Sequence, residues 1–138
     1  MSKVWVHTVW VTKYREPIIT SSLEKVLYAK IRAEFKKLRC PLKIINGAPD
    51  HVHCLFKMNA SLSMAQTIKQ VKGSSSRYIN ELGLTLDTFK WQEGYASFSV
   101  SESALEKVFQ YIRNQKEHHG IVTSPNPGIN SWIGGSEK

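Results

Sequence analysis

Two strand-like runs separated by a turn too short to hold a helix constrain this chain more than any other feature. They are Leu42-Lys43-Ile44-Ile45-Asn46-Gly47 and His51-Val52-His53-Cys54-Leu55-Phe56. Asn46-Gly47-Ala48-Pro49 supplies turn residues between them, so the two runs are expected to pair as antiparallel neighbours. Helical periodicity flanks the hairpin on both sides. Before it, Leu23, Val26, Leu27, Ile31, Phe35 and Leu38 recur at helical spacing behind the capping sequence Thr20-Ser21-Ser22, and Pro41 ends the segment. After it, Ser61 or Ser63 can cap a helix whose stripe is Leu62, Ile68, Val71, Ser75, Tyr78, Ile79 and Leu82, with Gly83 as its stop. The β-branched and aromatic run Val4–Thr12 reads as a first strand and Ala96–Val100 as a fourth. A last helix is expected from the cap at Ser101 to His119, ended by Gly120. The order β-α-β-β-α-β-α predicts an α+β, ferredoxin-like (split β-α-β) sandwich. Its antiparallel sheet has two helices on one face and an open second face, and a C-terminal helix follows.

A chain of 138 residues is one domain in length. We expect that domain over residues 1–120, followed by an irregular tail, 121–138, rich in Pro and Gly, in which Trp132 and Ile133 are candidates for docking. With 19 Lys and Arg against 11 acidic residues, the formal charge is +8. That excess points to a polyanionic partner, nucleic acid ahead of a membrane surface. No apolar run of about 18 residues occurs, so no membrane span is expected, and a cytoplasmic location follows. Cys40 and Cys54 sit in apolar, strand-like settings and read as reduced, buried thiols.

Alternation on a strand turns His51 and His53 to one side, about 6–7 Å apart at Cα, and Val52, Cys54 and Phe56 to the other. Two imidazoles on one face are two ligands for a divalent metal, although the same alternation suits any half-buried strand. A third donor is needed. On the last helix Leu105, Val108, Phe109 and Ile112 form the apolar stripe, while Tyr111, Gln115 and His118 share a neighbouring face at i, i+4 and i+7. There a phenolic oxygen and an amide oxygen can meet the metal held by the histidines. A metal-polarised phosphodiester would then be open to attack by the phenol. Asp50 can orient a histidine or belong to the turn, and His7 reads as a sheet-face histidine, with a metal role the minority reading.

Basic candidates for a phosphate backbone are Lys13 and Arg15, which flank Tyr14, together with Lys69, Lys72 and Arg77 on the second helix. Lys72-Gly73-Ser74-Ser75-Ser76-Arg77 suits a phosphate contact or a local helix irregularity, and its spacing is not that of a P-loop. Trp91 and Tyr95 read as packing residues.

Four segments together carry a family resemblance: Trp10-Val11-Thr12-Lys13-Tyr14-Arg15, Pro49-Asp50-His51-Val52-His53, Trp91-Gln92-Glu93-Gly94-Tyr95, and Tyr111-Ile112-Arg113-Asn114-Gln115 followed by His118-His119. In order and spacing over residues 4 to 119 the chain resembles the single-tyrosine HUH transposases of bacterial insertion sequences. The resemblance implies an enzyme dependent on Mg²⁺ or Mn²⁺ that nicks single-stranded DNA at mobile-element ends. It also implies a 5′-phosphotyrosine intermediate, a homodimer and recognition of hairpins. Carried onto this sequence, His51 and His53 are the histidine pair, Tyr111 the nucleophile and Gln115 the third ligand. Apart from the resemblance, Asp50 and His118 are candidate supporting groups, and His118 and His119 read equally as DNA contacts or as helix-terminal cations. Two other readings stay open. One is a non-catalytic nucleic-acid binder on the same fold, RRM-like or domesticated, against which the missing RRM aromatics argue. The other is a repeat-associated or replication-type nickase using the same chemistry at another site.

Overall fold

Strand β1 (Trp5–Val11) is followed by helix α1 (Ser21–Lys37), the hairpin β2 (Leu42–Ala48) and β3 (His51–Lys57), helix α2 (Met64–Leu82), strand β4 (Ala96–Val100) and helix α3 (Leu105–Arg113). The computed structural model describes residues 4–117. The four strands form one sheet in the order β2-β3-β1-β4, with every neighbouring pair antiparallel. Each β-α-β unit is split by a strand of the other, as expected for the ferredoxin-like arrangement.

Local sequence accounts for the helices. The Thr20 hydroxyl accepts from the Leu23 amide at the start of α1. Ser63 and Gln66 form a reciprocal capping box on α2, and Gly83 closes that helix with a left-handed φ of 64°. Both helices cover one sheet face. Leu27, Ile31 and Phe35 of α1 and Ile68, Val71 and Ile79 of α2 bury against Val6, Trp10, Val52, Cys54 and Phe56. Cys40 and Cys54 are buried free thiols, and burial pushes the Cys54 thiol well up.

The second face does not stay open. Helix α3 lies on it, packing Val108, Tyr111 and Ile112 against Leu55 and Val100. Nine residues are too few to hold a helix alone in water, so α3 depends on tertiary contacts, with burial of Val108 and Ile112 contributing about 1.5–3 kcal/mol each.

Two boundaries differ from expectation. Asn46 and Gly47, expected both to end the strand and to begin the turn, are strand residues only, paired with His53 and Val52, and the reversal is made by Pro49 and Asp50. Gly47 permits the pairing: a Cβ there would run into the His51 carbonyl oxygen and come 2.9 Å from Val52 Cα. The last helix was expected to reach His119, but its α-helical part ends at Arg113 and a 3-10 turn covers Gln115–Glu117. Asn46 accounts for the stop, because its amide donates to the carbonyl oxygens of Ile112 and Arg113 at 3.1 and 3.0 Å. Lys116 then fastens the turn to the Asn46 side chain, the Gly47 carbonyl and the Glu24 carboxylate. His118, His119 and the tail 121–138 with Trp132 and Ile133 lie outside the described residues.

Candidate active site

The alternation of β3 turns His51 and His53 to the α3 side of the sheet, their ring centroids 5.1 Å apart. Both are buried, His53 completely. The Nδ1 atom of each is occupied: that of His51 lies 2.7 Å from Asp50 Oδ1, and that of His53 lies 2.9 Å from Nε2 of His7. In the tautomers in which His51 Nδ1–H donates to Asp50 and His53 Nδ1–H donates to His7, Nε2 of each ring keeps a bare lone pair. Those two Nε2 atoms are buried and have no hydrogen-bond partner among the described residues. A buried ring nitrogen without a partner is uncommon, and here two occur side by side. Neutral imidazoles with the distal nitrogen held by an acceptor are what metal ligation requires.

Electrostatics favours the neutral form at His53. Burial pushes its pKa well below the ordinary range, and the neighbouring His51 and His7 rings push the same way. The Gln115 amide is near enough to favour the protonated ring somewhat, without making a well-formed hydrogen bond to Nε2. Burial alone would raise Asp50, but the His51 ring and Arg15 outweigh it and hold the carboxyl below its usual range. Arg15 reaches Asp50 Oδ2 at 3.1 Å. The guanidinium expected to meet phosphate therefore holds the carboxylate that holds His51.

Tyr111 comes to the same place from α3. Its ring stands edge-on to His53 at 5.6 Å and near His7 at 6.1 Å, and the residue is buried. Gln115 follows in the 3-10 turn, its amide nitrogen donating to the Tyr111 carbonyl at 3.3 Å. No three His, Cys, Asp or Glu side chains converge as a metal cluster among the described residues. A donor of another type stands beside the pair, the Gln115 amide close to the His53 ring. Thus Tyr111, His51, His53, Gln115 and Asp50 come together in one chain. His7, which reads from the sequence as a sheet-face histidine, joins the group through His53. Its face on β1 was legible from alternation, but its pairing with His53 depends on the β1–β3 register.

The other cations are placed differently. Lys69 and Arg77 are exposed on α2 and Lys13 is half-buried at the end of β1. Helix α2 runs unbroken through Gly73, so of the two readings of that segment the helix irregularity is absent. Lys72 donates to the carbonyls of Gln92 and Gly94 at 2.8 and 2.7 Å, and burial lowers its pKa to about 8. Trp91 and Tyr95 pack against the core, as expected.

A sequence model of the family described as "Transposase IS200 like" matches residues 1–115. The chain belongs to this family. The transposase is similar to the ISDra2 transposase TnpA of Deinococcus radiodurans, 23% identical over 119 residues that cover 80% of this chain and 83% of that protein. It is similar also to a transposase of Deinococcus radiodurans seen in a crystal structure. The TM-score is 0.68 with 25% identity, over 83% of this chain and 92% of that one. A REP-associated tyrosine transposase bound to a REP hairpin shares the fold, with a TM-score of 0.63, 16% identity, and coverage of 86% and 69%. Among the described residues of the transposase no helix is long and apolar enough to cross a membrane.

Proposed function

We propose that this transposase nicks and rejoins single-stranded DNA at mobile-element ends, using Tyr111 as nucleophile beside a divalent cation held by His51, His53 and Gln115. The observation that carries the reading is the pair of buried, unpartnered Nε2 atoms next to the Tyr111 ring. The donor set fits the group, with two imidazoles held through Nδ1 and the Gln115 amide close by. When bound, Mg²⁺ or Mn²⁺ supplies Lewis-acid polarisation of the scissile phosphodiester.

The residues of the chain do the rest. Asp50, itself braced by Arg15, keeps Nδ1 of His51 protonated, and His7 does the same for His53. Helix α3, capped by Asn46 and tied by Lys116, presents the phenol. The Tyr111 oxygen forms a bond to phosphorus as the bond to the 3′-oxygen breaks, and the phenolic proton ends on the departing oxygen. The products are a 5′-phosphotyrosine and a free 3′-OH, which reverses the step at a new junction. Tyr111 lies against His53 of its own chain, so each copy of a homodimer would carry a full set of groups. Net charge of +8 and a fold relative bound to a REP hairpin support single-stranded DNA with hairpin ends as partner.

Labelled single-stranded DNA carrying an element end, incubated with Mn²⁺, is expected to give a protein–DNA adduct stable to denaturant. The adduct is lost in Tyr111→Phe while DNA binding persists. An adduct that survives Tyr111→Phe overturns the assignment.

A further inference from the structure

A cavity of about 470 Å³ opens between α2 and the segment 90–95, on the helix-covered side of the sheet and apart from the histidines. Ile68 and Gly73 of α2 line it on one side, Trp91 and Tyr95 on another, and Lys69 and Lys90 are exposed around it. Its size suits a small planar ligand with attached groups. The walls are rigid. The Trp91 indole donates to Ser75 Oγ at 3.1 Å, and its ring stands edge-on to Trp10 and Phe89 at 5.8 and 4.9 Å. Lys72 crosses from α2 to the carbonyls of Gln92 and Gly94 and holds the two sides together.

Gly73 gives an independent indication that the space is kept open. Glycine is a poor residue in a helix interior, and it is tolerated where φ is positive or where a neighbour approaches closely. Neither applies here: φ is ordinary and nothing lies within 4 Å of where a Cβ would be. Gly73 is one of the residues that line the cavity.

The chemistry of the opening selects the occupant. Apolar, partly aromatic walls accept a flat ring, and Lys13, Lys69 and Lys90, against the single acid Glu93, attract an anionic backbone. A nucleobase on a sugar-phosphate chain has both parts. Lys13 also begins the turn Lys13–Arg15, in which Tyr14 and Arg15 hold left-handed φ values of 58° and 56°. Backbone strain of this kind persists where the surroundings impose it, and here the Tyr14 amide donates to Gln92 Oε1 at 3.2 Å. Tyr14 is 77% exposed at the crest of that turn, and Arg15 on its far side reaches Asp50 beside His51. One turn therefore links the cavity to the candidate active site.

We infer that this cavity receives one unpaired nucleobase of a bound single strand, with the flanking phosphates on Lys13, Lys69 and Lys90. The inference rests on the single-stranded DNA reading above, but it concerns binding, so its test stands whether or not Tyr111 cuts. Full-length protein and Gly73→Leu are compared in fluorescence-anisotropy titrations with a thymidine homopolymer of about 20 nucleotides and a strand of abasic spacers of equal length. Gly73→Ala is a milder second variant. The leucine is expected to weaken homopolymer binding about ten-fold and the alanine about two-fold, with Tm equal to or above that of the parent. On the abasic strand all three proteins bind alike. Unchanged homopolymer affinity in Gly73→Leu at undiminished Tm overturns the inference. An equal loss on both strands does so too, because the cavity would then serve phosphate alone.

Discussion

Replacing Gly47 by alanine tests how the hairpin places the histidines. The added methyl would collide with the His51 carbonyl oxygen and lie 2.9 Å from Val52 Cα, both backbone atoms of the strand that carries the histidine pair. Carbon–carbon contacts settle at about 3.5–4.0 Å, so relieving the Val52 contact alone parts β2 and β3 by roughly 0.6–1.1 Å, and the closer His51 oxygen demands at least that. Strain of this size in a packed interior costs about 1–3 kcal/mol, which for a domain of this length lowers Tm by about 4–12 °C. The displacement falls on His51 itself. A misplacement near 1 Å can cost on the order of 10²-fold in rate, so adduct formation is expected to fall by about that factor. Circular-dichroism melts and single-turnover adduct assays read the two effects. A variant with parental Tm and parental rate would refute the claim that Gly47 is required for close strand approach. Gly73→Ala, the same change where nothing stands in the way, is expected to move Tm in the opposite direction.

Asp50→Ala removes the acceptor for His51 Nδ1 and is expected to weaken Mn²⁺ binding about 10–100-fold by calorimetry, and an unchanged Kd would detach Asp50 from the site. Glu34 is a buried carboxylate between α1 and α2. Burial alone would raise its pKa, but the hydrogen bond from Gln70 and the ammonium groups of Lys30 and Lys37 lower it below the usual value. A depressed folded-state pKa stabilises the protein above the unfolded-state value, near 4.5, and the gain disappears as pH falls through the lower folded value. Glu34→Gln is therefore expected to lose stability at pH 7 and to show a shallower decline of Tm between about pH 5 and 3. Parallel profiles for the two proteins would contradict this.

Much of this architecture is legible in the sequence because it is encoded locally. The period-2 run of β3 gives the shared face of His51 and His53, and Ser63 with Gln66 marks the start of α2. What the sequence hides are contacts set by register and docking. Asn46-Gly47 reads as a turn on residue preference, yet Asn46 caps a helix more than sixty residues away and Gly47 answers to the backbone opposite it. The stop of α3 at Arg113 is likewise imposed from β2, against a periodicity that continues beyond it. The covering of the second sheet face follows from Val108 and Ile112 finding Leu55 and Val100, which no single-segment pattern reveals. Arg15 looks like any exposed cation until the turn of β3 brings Asp50 to it.

The central claim is that two imidazoles and a phenol of one chain serve one cation. An anomalous-difference map from Mn²⁺-soaked crystals tests it most directly. The account predicts a single peak bridging Nε2 of His51 and Nε2 of His53 beside the Tyr111 side chain, lost in His53→Ala. Manganese bound elsewhere, with both Nε2 atoms bare at saturating metal, would contradict it.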